Sequence, residues 1–262
     1  MNVIVLSKDR AAQLDLFIRG FIKHFDVDCT LKVLYHYSND DFERGYGVIT
    51  ERYSGRNIIF HDETSFKTDL LYLVDPMDSY TVFFVDDIIF KEDFSDKSTT
   101  FREFRMSQDT ACLSLRLHPV MNYCYAASHP MKPVNTRKIY WPSQTGDYAY
   151  PMSLDGHIFR TVDILPLLKN LSYKNPNSLE AALACNPIMK PFMMCFNESI
   201  VVNNPCNKVQ TNNPNKHGDI DAAYLNEQFL SGKIIDASPY DGQHYNACHV
   251  ELPVSLVDFL PV

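Results

Sequence analysis

The run Tyr80-Thr-Val-Phe-Phe-Val-Asp-Asp-Ile-Ile-Phe90 constrains this chain more than any other stretch. Its β-branched and aromatic residues read as a strand buried on both faces, as in the centre of an α/β sheet. The strand ends abruptly in two carboxylates. Ligands of open α/β sheets sit at the carboxyl ends of strands, so Asp86 and Asp87 are expected at a binding site. Adjacent carboxylates there suit a hard divalent cation, Mn²⁺ or Mg²⁺, and such a cation suits a diphosphate. A strand that merely ends in a polar turn is the competing reading.

The rest of the first half supports the sheet. Val3–Leu6 reads as a short buried strand, and Leu14, Phe17, Ile18, Phe21, Ile22 and Phe25 recur at helical spacing. Leu31–Tyr37 and Asn57–Phe60 are further strands, and 66–74 is a further helix. Strand and helix in alternation give a parallel sheet. No GxGxxG follows the first strand and no GxxxxGK[ST] occurs, which argues against dinucleotide and P-loop folds. The second half is less regular. Thr110–Leu117 is predicted as a strand, 128–151 as a long binding loop, and 197–215 as a second loop. Thr161 is expected to cap a helix over 162–171, and Asn177 a helix over 178–184. Ala222–Leu230 is predicted helical, with Gly232 ending it.

The 262 residues, 45% hydrophobic, suffice for one sizeable core. A net charge of −8 argues against a broad nucleic-acid surface. No apolar run reaches the length of a membrane span, and Met-Asn-Val-Ile-Val-Leu-Ser has no signal-peptide pattern. The seven cysteines lack any CxxC spacing. Reduced thiols and a cytoplasmic location are therefore expected.

Val3-Ile-Val-Leu-Ser-Lys-Asp-Arg10, a helix, and a strand ending in Asp-Asp together resemble a GT-A-fold glycosyltransferase, of the family-2-like type of bacteria and large DNA viruses. Ser114–Leu117, Tyr150–His157 and Asn203–Gln210 extend the resemblance, which runs roughly from Met1 to Asp236. It implies a single α/β domain over 1–262 with a Rossmann-type, mostly parallel sheet flanked by helices. A nucleotide-sugar half (1–110) would precede an irregular acceptor half (111–262).

The resemblance assigns Ser7, Lys8, Asp9, Arg10 and Asp86 to the nucleotide and Asp87 to the metal, with His217 as a late metal ligand. The usual strand-end Asp that meets the base has no clear match in Tyr37-Ser-Asn-Asp40. Glu180 and Asp155 are the candidate catalytic carboxylates. Trp141, Tyr150 and His157 are candidate acceptor contacts. Each has a plainer role available. Asn177-Ser-Leu-Glu180 fits a capping box, and Asp155-Gly156 fits a turn. Arg116 could meet phosphate or pair with a core carboxylate.

The implied reaction is metal-dependent transfer of a hexosyl or deoxyhexosyl group from a nucleoside diphosphate sugar, UDP by expectation, to a hydroxyl of a glycan or glycoprotein, with inversion. A metal stabilises the departing diphosphate, and a base takes the acceptor proton. A sugar-phosphate nucleotidyltransferase is one rival, although residues 5–12 lack the glycines of a triphosphate loop. A non-catalytic carbohydrate-binding protein is another, but it would not need Asp86 and Asp87.

Overall fold

The computed structural model describes residues 1–209 and 216–260. Part of the 197–215 loop, from Gln210 to Asn215, lies outside the described residues. The chain runs β1 (Asn2–Lys8), α1 (Ala11–His24), β2 (Leu31–His36), α2 (Asp40–Arg52), β3 (Ile58–Asp62), α3 (Phe66–Leu73), β4 (Tyr80–Val85) and β5 (Ile88–Phe90). It continues through α4 (Thr99–Met106), β6 (Thr110–Ser114), β7 (Lys138–Tyr140), β8 (His157–Arg160), α5 (Thr161–Asn170), α6 (Pro176–Cys185) and β9 (Phe192–Cys195). It ends with β10 (Val201–Asn203), α7 (Ala222–Leu230), β11 (Lys233–Ile235) and β12 (Leu256–Asp258).

Eight strands form one sheet in the order β7-β9-β6-β8-β4-β1-β2-β3. The pairs β4–β1, β1–β2, β2–β3 and β6–β9 are parallel. β8 enters antiparallel between β4 and β6, and β7 pairs antiparallel with β9. The sheet is therefore mixed but mostly parallel, with helices flanking it, as the alternating pattern implies. Successive side chains of a strand point to opposite faces. Val3, Val5, Val82 and Phe84 accordingly pack into one core, and Ile4, Leu6 and Phe83 into the other. Burial on both faces explains why these strands read as unbroken apolar runs.

The structure departs from the sequence expectation in identifiable places. α2 was not anticipated, because only Gly45, Tyr46 and Ile49 of it are buried. Its start is set by Asn39, whose side chain accepts from the Asp41 and Phe42 amides. Gly45 permits close packing: a Cβ there would lie 2.2 Å from Asn226 Oδ1 and 2.9 Å from Ala11 Cβ. β8 was likewise missed, since Asp155-Gly156 reads as a turn and the strand after it is short. Thr161 does not cap α5 from outside. It is the first helical residue, and its hydroxyl meets that of Thr81 at 2.9 Å.

The start of α6 is also corrected. Asn175, not Asn177, is the cap, and Ser178 completes the capping box. Pro176 sits at the first helical position, where its missing N–H costs nothing. α7 ends as expected, with Gly232 at φ +91°. The final segment, unplaced from sequence, adds β12 to β11 and bridges His249 to Asn203. All seven cysteines are free. Among the described residues no helix is long and apolar enough to cross a membrane.

Candidate active site

Four strand ends meet along one edge of the sheet. β1 and β4 run parallel, so Ser7–Arg10 follows one strand and Asp86–Asp87 the other. β8 is antiparallel to β4, so Asp155 stands just before its start. β6 is antiparallel to β8 and delivers Arg116 just past its own end. The turn is tightened by Gly156, at φ +73°, whose amide donates to the Phe83 carbonyl at 2.8 Å. Charged residues from positions 10, 86, 116 and 155 thus gather at the strand ends where an α/β sheet binds ligands.

Asp86 is buried and fully engaged. It accepts from Ser7 Oγ at 2.9 Å, the Lys8 amide at 3.1 Å and Arg10 Nη1 at 2.9 Å. Ser7 Oγ also pairs with the hydroxyl of Tyr46 at 2.7 Å. Arg10 uses the rest of its fork on Asn207, donating from Nε at 2.8 Å to the side chain and from Nη2 at 2.6 Å to the backbone carbonyl. In this arrangement Arg10 holds the carboxylates instead of presenting open donors. Asp9, at φ +56°, caps the end of β2 by accepting from Ser38 N and Oγ at 2.7 and 2.9 Å. Lys8 is exposed beside them.

Asp87 is the less committed carboxylate. Asn203 Nδ2 donates to it at 2.9 Å, and Arg10 stands 3.6 Å away. Asn203 is delivered by the pairing of β10 with β5. Burial pushes Asp87 up to about 6, with Arg10 opposing and Asp155 and Asp86 adding to the shift. A carboxylate so poorly compensated is stabilised by an added cation.

Asp155 accepts from Arg116 Nη1 at 3.0 Å and lies 3.4 Å from His249 Nε2. Burial alone would raise its pKa. The His249 hydrogen bond and the Arg116 charge outweigh that and hold it below the usual range. Burial likewise disfavours a charged His249, but Asp155 reverses the sign and raises it. His249 Nδ1 has no partner among the described residues, nor do Asn203 Oδ1 and Asp147 Oδ2. Arg116 is 2% exposed and also faces Asp147 at 3.7 Å. It pairs with carboxylates.

Glu180 projects from α6 toward the same residues. It accepts from Ser153 Oγ at 3.0 Å and the Leu154 amide at 3.2 Å. It therefore braces the residue before Asp155 and plays no part in the cap of its own helix. Burial, then repulsion from Asp155, pushes Glu180 up to about 7, with Arg116 opposing. Tyr150 is half-buried within the field of Glu180 and Asp155.

The remaining candidates lie elsewhere. His157 is wholly buried within β8, with Nδ1 3.1 Å from the Pro151 carbonyl and 3.6 Å from Cys112 Sγ. Burial pushes it down to about 3. Acceptor contact by His157 is therefore corrected: the side chain is core. Trp141 follows the edge strand β7, four strands from β4, where its indole donates to the Lys190 carbonyl at 2.8 Å. His217 is exposed, and its Nδ1 meets the carbonyl of its neighbour Gly218 at 2.7 Å. Among the described residues, the His, Cys, Asp and Glu side chains that converge within 4.8 Å as a group of three are His118, Glu198 and His244. The Asp87 set is looser.

Sequence reasoning missed Asn203, Asn207 and His249 as site residues. The first two stand in a segment that carries the family resemblance. His249 had no local signal.

No family model matches the chain. It is similar to the bifunctional glycosyltransferase pgtA of Dictyostelium discoideum, at 25% identity over 242 residues, covering 76% of this chain. The chain spans 30% of the length of that relative. Among solved structures, TarS 1–349 of S. aureus overlays with a TM-score of 0.45 at 12% identity, covering 77% of this chain and 59% of that one. A 4-diphosphocytidyl-2C-methyl-D-erythritol synthase of Anaerococcus prevotii DSM 20548 gives 0.37 at 11% identity, covering 74% and 86%. The sheet itself is an α/β architecture, mostly parallel and flanked by helices.

Proposed function

We propose that the chain is a metal-dependent glycosyltransferase that takes a nucleoside diphosphate sugar as donor and a glycan hydroxyl as acceptor. The observation that carries this reading is the convergence of Asp86 and Asp87 at the end of β4 with Asp155, Glu180, Arg116 and His249. A carbohydrate-binding module has no need of a half-buried, poorly compensated carboxylate beside a second, separate carboxylate pair.

Asp87 is the proposed metal ligand, with Asp155 and the unpartnered Nδ1 of His249 as the nearby donors of suitable chemistry. A divalent cation bound there supplies charge for the leaving diphosphate. The donors do not form a group within 4.8 Å, so side-chain movement accompanies binding. Ser7, Lys8 and Asp9 border the donor, with exposed Lys8 facing phosphate. Arg10 acts by fixing Asp86 and Asp87. A hollow of about 500 Å³ beside the ends of β2 and β3, lined by Tyr35, Tyr37, Glu43, Thr50 and Asp62, supplies an aromatic wall for a base.

Glu180 is the proposed general base. A base works best with a pKa near the operating pH, and Glu180 at about 7 meets this condition. Asp155, held charged by Arg116 and His249, raises the basicity of Glu180, which Ser153 and the Leu154 amide hold in place. Tyr150, half-buried in the field of Glu180 and Asp155, is the proposed acceptor contact. Calorimetry with UDP, with and without Mn²⁺, tests the reading: binding should require the metal. Equal binding of UDP in EDTA would overturn it.

A further inference from the structure

We propose that His118, Glu198 and His244 form a second cation site, distinct from the Asp87 cluster, that takes a borderline transition metal of the zinc type. One potential ligand atom from each of the three lies within 4.8 Å of the others. Two imidazoles and one carboxylate form a donor set typical of zinc with one open position.

The histidine geometry supports the assignment. His118 is 1% exposed and follows Leu117 in the segment after β6. Its Nε2 stands 2.7 Å from the Tyr245 carbonyl and must carry the proton to donate there. That fixes the tautomer and leaves a lone pair on Nδ1. Nδ1 is buried and has no partner among the described residues. Metal-bound histidines commonly have this form: one nitrogen donates to a carbonyl while the other faces the ion. Burial also lowers the pKa of His118, which disfavours the protonated ring.

His244 Nδ1 and Glu198 Oε2 lie 2.7 Å apart, with side chains 47% and 54% exposed, so an ion can enter from solvent. The His118 and His244 rings are 4.7 Å apart. Lys91, buried and positive, has a field that reaches Glu198 and His118 and opposes the ion.

The ligands come from three separate segments. Residues 240–249 carry both His244 and His249, and they are joined to the body by Gly242 N to the Lys91 carbonyl at 2.9 Å and Asn122 N to the Asn246 carbonyl at 3.1 Å. A cation at the second site would fasten this segment to the sheet and steady His249 in the first site.

The test uses the full chain after chelator treatment and dialysis, titrated with zinc alone and no nucleotide. Calorimetry should show one tight equivalent. At free zinc one hundredfold above its dissociation constant, the melting temperature should rise by about 5–10 °C. Glu198→Gln and His244→Gln, both at half-exposed positions, should each weaken zinc binding at least tenfold while circular dichroism stays unchanged. Asp87→Asn should leave zinc binding intact. Cobalt in place of zinc should show visible absorption of four-coordinate strength in the wild type and lose it in His244→Gln. Absence of a tight equivalent, or binding unchanged in both variants, would overturn the proposal. Loss of zinc binding in Asp87→Asn would also overturn it, by placing the ion in the first cluster.

Discussion

Asp155 Oδ2 lies 3.4 Å from His249 Nε2 and ties the loop before β8 to the last segment of the chain. Each group moves the other's pKa toward the charged form. A histidine raised above about 6.5 stabilises the fold below that pH, and this is lost as pH rises through its folded value. A carboxylate held below about 3.9 stabilises above that pH, and this is lost as pH falls through its folded value. The pair is fully stabilising between about pH 4 and 6.5. Asp155→Asn should therefore lose more stability at pH 5.5 than at pH 8.5 in urea denaturation. A pH-independent loss would show that the ion pair is not the stabilising contact.

Glu180 has the opposite linkage. Its pKa is raised by burial and by Asp155, to about 7. Such a carboxylate stabilises the fold below its unfolded value near 4.3, and the stability is lost as pH rises toward 7. Glu180→Gln should remove that loss, making the variant about 1–3 kcal/mol more stable than wild type at pH 8 and nearly equal at pH 4. The same variant should lower transfer by about 10²–10⁴-fold. Normal transfer with the raised stability would remove Glu180 from the base role, and a folded but inactive Asp155→Asn would then give the role to Asp155.

Arg10 links Asp86, Asp87 and Asn207 from one guanidinium. Arg10→Ala leaves Asp86 buried without its cation, and breaking a buried pair costs about 3–5 kcal/mol. Thermal denaturation should show this loss with no ligand present. A variant as stable as wild type that only loses diphosphate affinity would return Arg10 to direct phosphate contact.

Asp87→Asn keeps the shape of the side chain and the space for the Asn203 hydrogen bond. It should abolish Mn²⁺-dependent binding of UDP while leaving the melting temperature within a few degrees. Retained metal dependence would move the ion to other ligands.

Gly45→Ala should destabilise by about 1–3 kcal/mol through overpacking against Asn226 and Ala11. Asn226→Ala should relieve part of that cost, since Asn226 Oδ1 is the nearest atom to the new Cβ. Chemical denaturation of both variants measures the coupling.

The legible parts of the fold were those whose physics is local. β4 announces itself because burial on both faces makes it continuously apolar, and Asp86 and Asp87 mark where the burial ends. Glu180 was singled out by family position alone, while its local capping pattern pointed to a role that Asn175 and Ser178 fill instead. α2 escaped because its helical face is small and interrupted by Gly45 and Gly47. His249 could not be read at all. A single histidine in an irregular tail acquires meaning only when β10 pairs with β5 and brings Asn203 and the bridge to His249 beside Asp87.

The bridge between Asn203 and His249 has a consequence for how the protein comes into being. The strand bearing Asp86 and Asp87 emerges from the ribosome well before Asn203, Asn207 and His249 are made. A nascent chain can seat Arg10 against Asp86 before the tail is made, because both directly follow early strands. Until the tail arrives, Asp87 is unpaired with Asn203, and Asp155 has Arg116 but no histidine. The carboxylate cluster is then completed by the last contacts to form, and a chain released before residue 249 would hold the sheet without it.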